Sequence, residues 1–359
     1  MIISRTPYRV SFFGGGTDYP AWFREHGGAA LATTIDKYCY ITCRHLPPFF
    51  EHRIRVVYSR IESRQRLEEI EHPSVREVLR FLGLERGVEI HHDGDLPARS
   101  GMGSSSAFTV GLLNALCALQ GRMPDKHRLA QDAIHLEQEV LKETVGSQDQ
   151  ISAAYGGFNH ITFLPNGEFT VRPMTLPRGR IQELNDHLLL LYTGIKRTAS
   201  DVADSYVPNL EARRRQLRII RDLVDEATSI LGGQQDLGAF GDLLHEAWEA
   251  KRALSPQVSN AEVEAIYQEA RSCGARGGKL TGAGGGGFML LFAPPDRHAA
   301  IRARLQRLLD VPFRFEFGGS QIIFFDPEAD YSAVERSREG QTLAGFHELK
   351  DVDGAGPVG

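Results

Sequence analysis

Residues 95–121 read DLPARSGMGSSSAFTVGLLNALCALQG, a loop of glycine and serine running directly into an apolar helix. The helical part, FTVGLLNALCALQ, is apolar on nearly every side and is closed by Gly121. A helix of that kind lies inside a domain, not on its surface. Gly101 and Gly103 let the backbone in front of it approach a ligand closely, and Ser104, Ser105 and Ser106 stand where it begins. A helix start offers unpaired N–H groups and the positive end of the helix dipole, which together attract anions. Serine hydroxyls there can bind phosphate oxygens or a phosphate-bound Mg²⁺. The same residues would serve equally as an N-cap with a flexible turn.

Upstream the chain is rich in strands. Residues 2–13 alternate and run into Gly14-Gly15-Gly16-Thr17-Asp18, and 30–43, 53–58 and 88–92 read as further strands around a short helix at 74–82. Downstream, 126–142 reads as a helix with Leu129, Ala133, Leu136 and Val140 on one stripe. Glu137 and Glu139 lie on it, and Asp149 follows in VGSQDQ. A carboxylate is the natural Mg²⁺ ligand beside phosphates, and another can take the proton of an acceptor hydroxyl. Either Glu, alone, reads more readily as solvated surface.

FNHITF and EFTVRPM are expected strands, and the Pro- and Arg-containing stretch near 173–186 marks a boundary. The expected division is 1–180, 181–327 and a polar tail, 328–359. The second part is expected to hold helices at 209–231, 238–253 and 297–309, and one capped by Asn260. It also holds the third glycine cluster, Gly282 to Gly287, and the strands FMLLFA, RFEF and QIIFF.

Bulk properties exclude several classes. At 359 residues the chain is long enough for two domains, and its net charge of -5 gives nucleic acid no electrostatic hold. No apolar run approaches the roughly 18 residues of a membrane span, and MIISRTPYRV lacks a signal peptide's apolar region. The expectation is a cytoplasmic protein with no membrane partner. Cys39, Cys43, Cys117 and Cys273 are too few for a disulfide framework, so reduced thiols are expected. His91-His92-Asp93-Gly94-Asp95 has metal-binding residue types but sits at a strand end in a turn, where structural roles are expected.

Three familiar glycine motifs fail. Gly282-x-Gly284-x-x-Gly287 fits the dinucleotide pattern, yet a strand follows where that site needs a helix. Gly278-Lys279 resembles the end of a P-loop, but Cys273 and Leu280 occupy the positions of its first glycine and its hydroxyl residue. Neither an HRD nor a DFG triplet occurs.

Together, PYRVSFFGGGTDY at 7–19, PxxxGMGSSSA at 97–107 and KLTGAGGGGFML at 279–290 resemble the three signature motifs of the GHMP kinases, in that family's order and spacing. The resemblance spans roughly residues 2–325 and implies an α+β fold of two domains. The first would be like ribosomal protein S5 domain 2 and the second ferredoxin-like. It implies ATP and Mg²⁺, with Pro97, Ser100, Gly101, Met102, Gly103, Ser104, Ser105 and Ser106 around the triphosphate. Ser105 and Glu137 take the place of the metal ligands. Asp149 matches the proposed base, and Arg9 the basic residue held beside it.

On the acceptor side, GGGTDY at 14–19 resembles the GEHTDY of the family's galactokinases, which makes Gly15, Gly16, Thr17 and Asp18 the expected sugar contacts. Gly15-Gly16 replaces Glu-His, which argues against galactose itself. TTIDKY, VGSQDQISAAYGGFNHI, YTGIKRTAS and GGKLTGAGGGGFM are most similar to the branch that phosphorylates the anomeric hydroxyl of D-glycero-D-manno-heptose 7-phosphate, with fucokinases as the alternative. A phosphorylated sugar needs cations, for which Lys196, Arg197 and Lys37 are candidates, and Gly284 and Gly285 would close on it. A non-catalytic sugar or nucleotide sensor on this fold would show a degraded metal or base position, and Ser105, Glu137 and Asp149 are intact. A decarboxylase of the diphosphomevalonate type would lack the GGGTDY loop.

Overall fold

The apolar alternation of IISRTPYRVSFF forms β1 (Ile2–Phe13), and from Thr6 onward all of it is buried. A strand buried on both faces needs cover on both sides, and the rest of the chain supplies it. The computed structural model describes residues 1–50, 52–85, 87–195, 199–327 and 331–337. After GGGTDY, α1 (Pro20–His26) leads into β2 (Gly28–His45), antiparallel to β1. A hairpin of β3 (Ile54–Val57) and β4 (Ile61–Arg64) follows, then α2 (Pro73–Leu82) and β5 (Val88–Gly94). β5 pairs with the Cys39–His45 half of β2 and runs parallel to β3.

The predicted buried helix is α3 (Ser104–Leu119), which packs on β1 and β2. Ser4 Oγ donates to Gly111 O at 2.8 Å across that contact. Next come α4 (Lys126–His135) and α5 (Gln148–Tyr155), then β6 (Phe158–Phe163) and β7 (Phe169–Pro173). β6 pairs with the Gly28–Thr33 half of β2. After α6 (Arg178–Asp186), a second, antiparallel sheet forms from β8 (Leu188–Tyr192), β9 (Gly277–Leu280), β10 (Phe288–Phe292) and β11 (Leu309–Asp310). Between and around these strands run α7 (Ala199–Asp204), α8 (Arg214–Gly232), α9 (Gly238–Arg252), α10 (Ala261–Ser272) and α11 (His298–Arg304). β12 (Phe315–Glu316), β13 (Gln321–Phe325) and α12 (Ser332–Ser337) end the described chain.

α8 and α9 also pack on β1. The register between β1 and β2 shifts between Ser11 and Phe13. Such a bulge changes which way a side chain points, and here two successive phenylalanines meet one ring. Phe240 of α9 lies 5.5 Å from Phe12 and 5.2 Å from Phe13, both edge-on. Its other neighbour is Phe292 of β10, at 6.0 Å. This aromatic cluster joins the two sheets, each buried ring contributing about 1.5–3 kcal/mol.

Two expectations are corrected. RFEF and QIIFF form strands but do not complete the second sheet: β12 pairs with β2 and β13 with β1. The outer edge of β1 would otherwise leave backbone groups unpaired, and the returning chain satisfies them. The helix expected over 126–142 ends at His135 and gives way to a π-helical turn, Leu136–Val140. The wider turn leaves Glu137 buried inside instead of on a solvated face. Cys39 and Cys43 are both buried in the core. Among the described residues, no helix is long and apolar enough to cross a membrane.

Candidate active site

The glycine–serine loop ends at the buried helix as predicted. Arg99, Gly101 and Gly103 have φ of 59°, 80° and 72°, so the backbone coils left-handed just before α3. No side chain caps α3, and its first turn closes with Ala107 N donating to Gly103 O at 2.9 Å. The N–H groups of Ser104, Ser105 and Ser106 therefore lack intrahelical acceptors. Ser105 is exposed on that turn, while Ser100 is buried with its hydroxyl unpartnered. Pro97 is exposed at the loop's start. Met102 points into the core, and its carbonyl accepts from Arg9 N at 3.1 Å.

Glu137 is fully buried beside this helix start. Its Oε2 accepts from Ser106 Oγ at 2.8 Å and from Gln150 Nε2, while Oε1 has no partner. Burial pushes its carboxyl up to about 7. The hydroxyl meeting Glu137 is thus that of Ser106, with Ser105 one position away on the open side. A buried, unpartnered carboxylate oxygen beside hydroxyls is the hard-oxygen environment that suits Mg²⁺, so the residues fit that ion.

Asp149 stands in the first turn of α5. Arg9 of β1 forks it, Nε to Oδ1 at 2.7 Å and Nη2 to Oδ2 at 2.5 Å. The third arm, Nη1, donates to Gly101 O at 2.7 Å. One guanidinium therefore holds the expected base and the glycine loop in a fixed relation, geometry a lysine could not reproduce.

Asp18 is buried nearby. Gly16 N donates to its Oδ1 at 2.9 Å, and Gln148 donates through N and Nε2 to Oδ2 at 3.3 and 3.0 Å. Burial raises its carboxyl above the usual range, and the charge of Asp149 adds to the rise. Gly146 is required beside it, since a Cβ there would lie 1.9 Å from Asp18 Oδ2. Gly15 is half-buried next to Gln148. The Thr17 hydroxyl is engaged with Gly14 O and Ala29 O at 2.8 and 2.9 Å, holding the loop itself.

The third glycine cluster packs directly on the second. A Cβ on Gly101 would lie 2.5 Å from Thr281 O, and one on Gly282 would lie 2.6 Å from Gly101 Cα. Only two glycine backbones can meet so closely. Gly284 rests on Val258, and Gly285 donates to Val258 O at 2.9 Å and accepts from Asn260 Nδ2 at 3.3 Å.

Two buried lysines at this junction were not anticipated. Lys251 of α9 donates to Gly282 O, and Lys279 of β9 donates to Phe12 O at 2.9 Å. Burial pushes the Lys251 ammonium down to about 8, and the Arg9 charge adds to the fall while Asp18 and Asp149 oppose it. Lys279 is held well below its usual range by burial and by Lys251. One signal for Lys251 was present: the apolar stripe Phe240, Leu244, Ala247, Trp248 continues at position 251, where a lysine stands. Lys279 stood in plain view within KLTGAGGGG.

Other candidates resolve differently. Lys196 and Arg197 lie outside the described residues. Lys37 pairs with Asp36 at 3.1 Å. His91 meets Glu89 at 3.0 Å, His92 sits edge-on to Phe108 at 5.0 Å, and Asp95 accepts from Tyr38 N at 2.8 Å. The cluster at 91–95 thus makes packing and sheet contacts, and His91 to Gly94 lie within β5 and not in a turn.

Comparison with known proteins bears on this arrangement. The family model described as the GHMP kinases N terminal domain matches residues 72–157, and that described as GHMP kinases C terminal matches 220–311. A D-glycero-alpha-D-manno-heptose 7-phosphate kinase of Campylobacter jejuni is 29% identical over 82% of this chain and 90% of its own. A bifunctional fucokinase/GDP-fucose pyrophosphorylase of Arabidopsis thaliana is 26% identical over 84% of this chain, which spans 30% of that protein. The crystal structure of a D-glycero-D-manno-heptose 1-phosphate kinase from Bacteroides thetaiotaomicron shares the fold, with a TM-score of 0.75 and 24% identity over 91% of this chain and 100% of its own. Both family models fall in chain order on one fold, and the first spans the loop that meets α3: the chain belongs to the GHMP kinases.

Proposed function

We propose that the protein transfers the terminal phosphoryl group of ATP, with Mg²⁺, to the anomeric hydroxyl of D-glycero-D-manno-heptose 7-phosphate. The product would be the 1,7-bisphosphate on the route to GDP-heptose. The observation that carries the chemistry is the Arg9 fork, which fixes Asp149 against the loop at the open N-terminus of α3. The similarity to the Campylobacter jejuni kinase, over 82% of this chain and 90% of that one, supports the acceptor. The similarity to fucokinase keeps fucose as the second reading.

In this mechanism the free N–H groups of α3 and the 100–103 loop hold the donor's phosphates. Ser105, Ser106 and Glu137 would hold Mg²⁺, which draws charge from the phosphate oxygens. Asp18, with Gly15 and Gly16, faces the sugar. Asp149 takes or orients the proton of the acceptor hydroxyl as its oxygen bonds to the terminal phosphorus. The bond from that phosphorus to the β–γ bridging oxygen breaks, and its electron pair leaves with ADP.

Replacing Ser105 with Ala, or Glu137 with Gln, is expected to weaken use of Mg·ATP without unfolding the protein. Turnover measured at limiting Mg²⁺ checks this, and rates unchanged in both variants would remove these residues from the metal site.

The acceptor is tested by ATP consumption across heptose 7-phosphates, hexoses and fucose. The heptose 7-phosphate should exceed its unphosphorylated form about ten- to a hundredfold in kcat/KM, the worth of one charge-assisted contact. Replacing Lys196 and Arg197 together should narrow that gap and leave the unphosphorylated sugar nearly unaffected. Efficient turnover of free fucose or galactose, with no preference for the heptose phosphate, would overturn the substrate.

A further inference from the structure

The two glycine loops meet at Gly101 and Gly282, and a cation donates to the carbonyl of each. Arg9 donates to Gly101 O and Lys251 donates to Gly282 O. The two cations therefore flank one point of contact, from β1 on one side and α9 on the other. Their situations differ. Arg9 is engaged by both oxygens of Asp149. Lys251 has three ammonium protons, and among the described residues only Gly282 O accepts one. No carboxylate forms an ion pair with it there, and it is 5% exposed.

A clamp on one carbonyl does not require a charge. Burying an ammonium without a paired anion costs several kcal/mol, whereas a neutral amide could donate to Gly282 O without that penalty. The groups facing Lys251 are Arg9 from β1, Asp18 from the GGGTDY loop, Asp149 from α5 and Lys279 from β9. Three basic groups and two carboxylates face one another there, and Arg9 already forks one of the carboxylates. Lys251 therefore has carboxylates near it but an ion pair with neither.

We propose that Lys251 is a catalytic residue whose ammonium holds the non-bridging oxygens of the phosphoryl group as it passes from donor to acceptor. This rests on the kinase reading above but not on any particular sugar. The acceptor's oxygen forms the new bond to phosphorus, the bond to the bridging oxygen breaks, and that electron pair leaves with ADP. The hydroxyl proton goes to Asp149 or to solvent. Lys251 keeps all its protons and donates hydrogen bonds where negative charge is concentrated, the form of stabilisation that a preorganised cation supplies best.

The test uses the full chain with whichever acceptor gives the highest kcat/KM in the screen. Should no sugar be turned over, the kinase–sugar assignment fails separately. The same comparison is then made on the slow hydrolysis of ATP, in which water is the acceptor. Lys251→Met is expected to lower kcat at least about a hundredfold, the cost of removing one transition-state donor. Its Kd for ATP should hold and its melting temperature should not fall. The folded state disfavours the Lys251 charge, so that charge opposes folding below about pH 8 and the opposition fades as pH rises toward the unfolded value.

Lys251→Arg supplies the second readout. In the wild type the active, protonated fraction falls as pH rises above about 8, so kcat should fall with it. Arginine stays charged to beyond about pH 12, so the variant's residual kcat should lack that alkaline decline. A kcat in Lys251→Met within about threefold of wild type, less than 1 kcal/mol, overturns the proposal. So does a loss of kcat matched by equal losses of ATP binding and melting temperature, which would make Lys251 a clamp. An alkaline decline identical in wild type and Lys251→Arg also overturns it.

Discussion

Asp149→Asn should lower kcat by at least about a hundredfold, the lower range for a positioned acid–base group, and leave the Kd for ATP almost unchanged. The substitution keeps the shape of the side chain and removes its charge. In the native site Arg9 Nε and Nη2 each donate to one Asp149 oxygen. An asparagine can accept from only one of them, and its NH₂ group then faces the other donor. The guanidinium remains tied to Gly101 O, so the loop keeps its place and ATP its cradle. What is lost is the acceptor for the hydroxyl proton and the negative charge that orients it. Single-turnover kinetics together with ATP titration separate the two effects. A variant with near-native kcat would assign the base role to another group, whereas a parallel loss of ATP binding would mean the Arg9 fork holds the loop through Asp149.

Gly101→Ala should cost more in both stability and nucleotide use than any other single methyl addition to the phosphate loop. The residue has φ +80°, where an L side chain is strained by about 1–2 kcal/mol. Its Cβ would also lie 2.5 Å from Thr281 O and 3.0 Å from Thr281 C. Both are backbone atoms of the facing loop, so no side-chain rotation relieves the clash, and overpacking of this kind adds about 1–3 kcal/mol. The loops must part, which moves the Arg9 anchor at Gly101 O and the Lys251 anchor at Gly282 O together. A displacement near 1 Å at such a site costs about a hundredfold in rate. Thermal denaturation and kcat/KM for ATP are the measurements. Gly179→Ala is the matched control, because a Cβ at that position in α6 meets nothing within 4 Å. Native stability and activity in Gly101→Ala would mean that the contact between the loops is not what sets the site.

The amino-acid sequence by itself determined the strands, most helices and the loop that meets α3, and its resemblance to the GHMP kinases made Arg9, Asp149, Asp18 and Glu137 candidates. The strands, helices and loop announce themselves locally. A glycine loop before an all-apolar helix has few physical meanings, and a two-residue period in IISRTPYRVSFF has one. Tertiary structure alone decided three other matters, all of them non-local. Gln321–Phe325 returns to β1 more than 300 residues away along the chain, and Phe315–Glu316 to β2 about 280 residues away, which no local pattern encodes. The pairing of Glu137 with Ser106 depends on a π-helical turn, where one residue more or less per turn changes the face a side chain occupies. Lys251 continues the apolar stripe of α9, but that stripe does not say what the lysine meets. Only when α9 lies against the junction of two glycine loops does its ammonium become buried and donate to Gly282 O, because burial is a property of what packs around a residue and not of the residue.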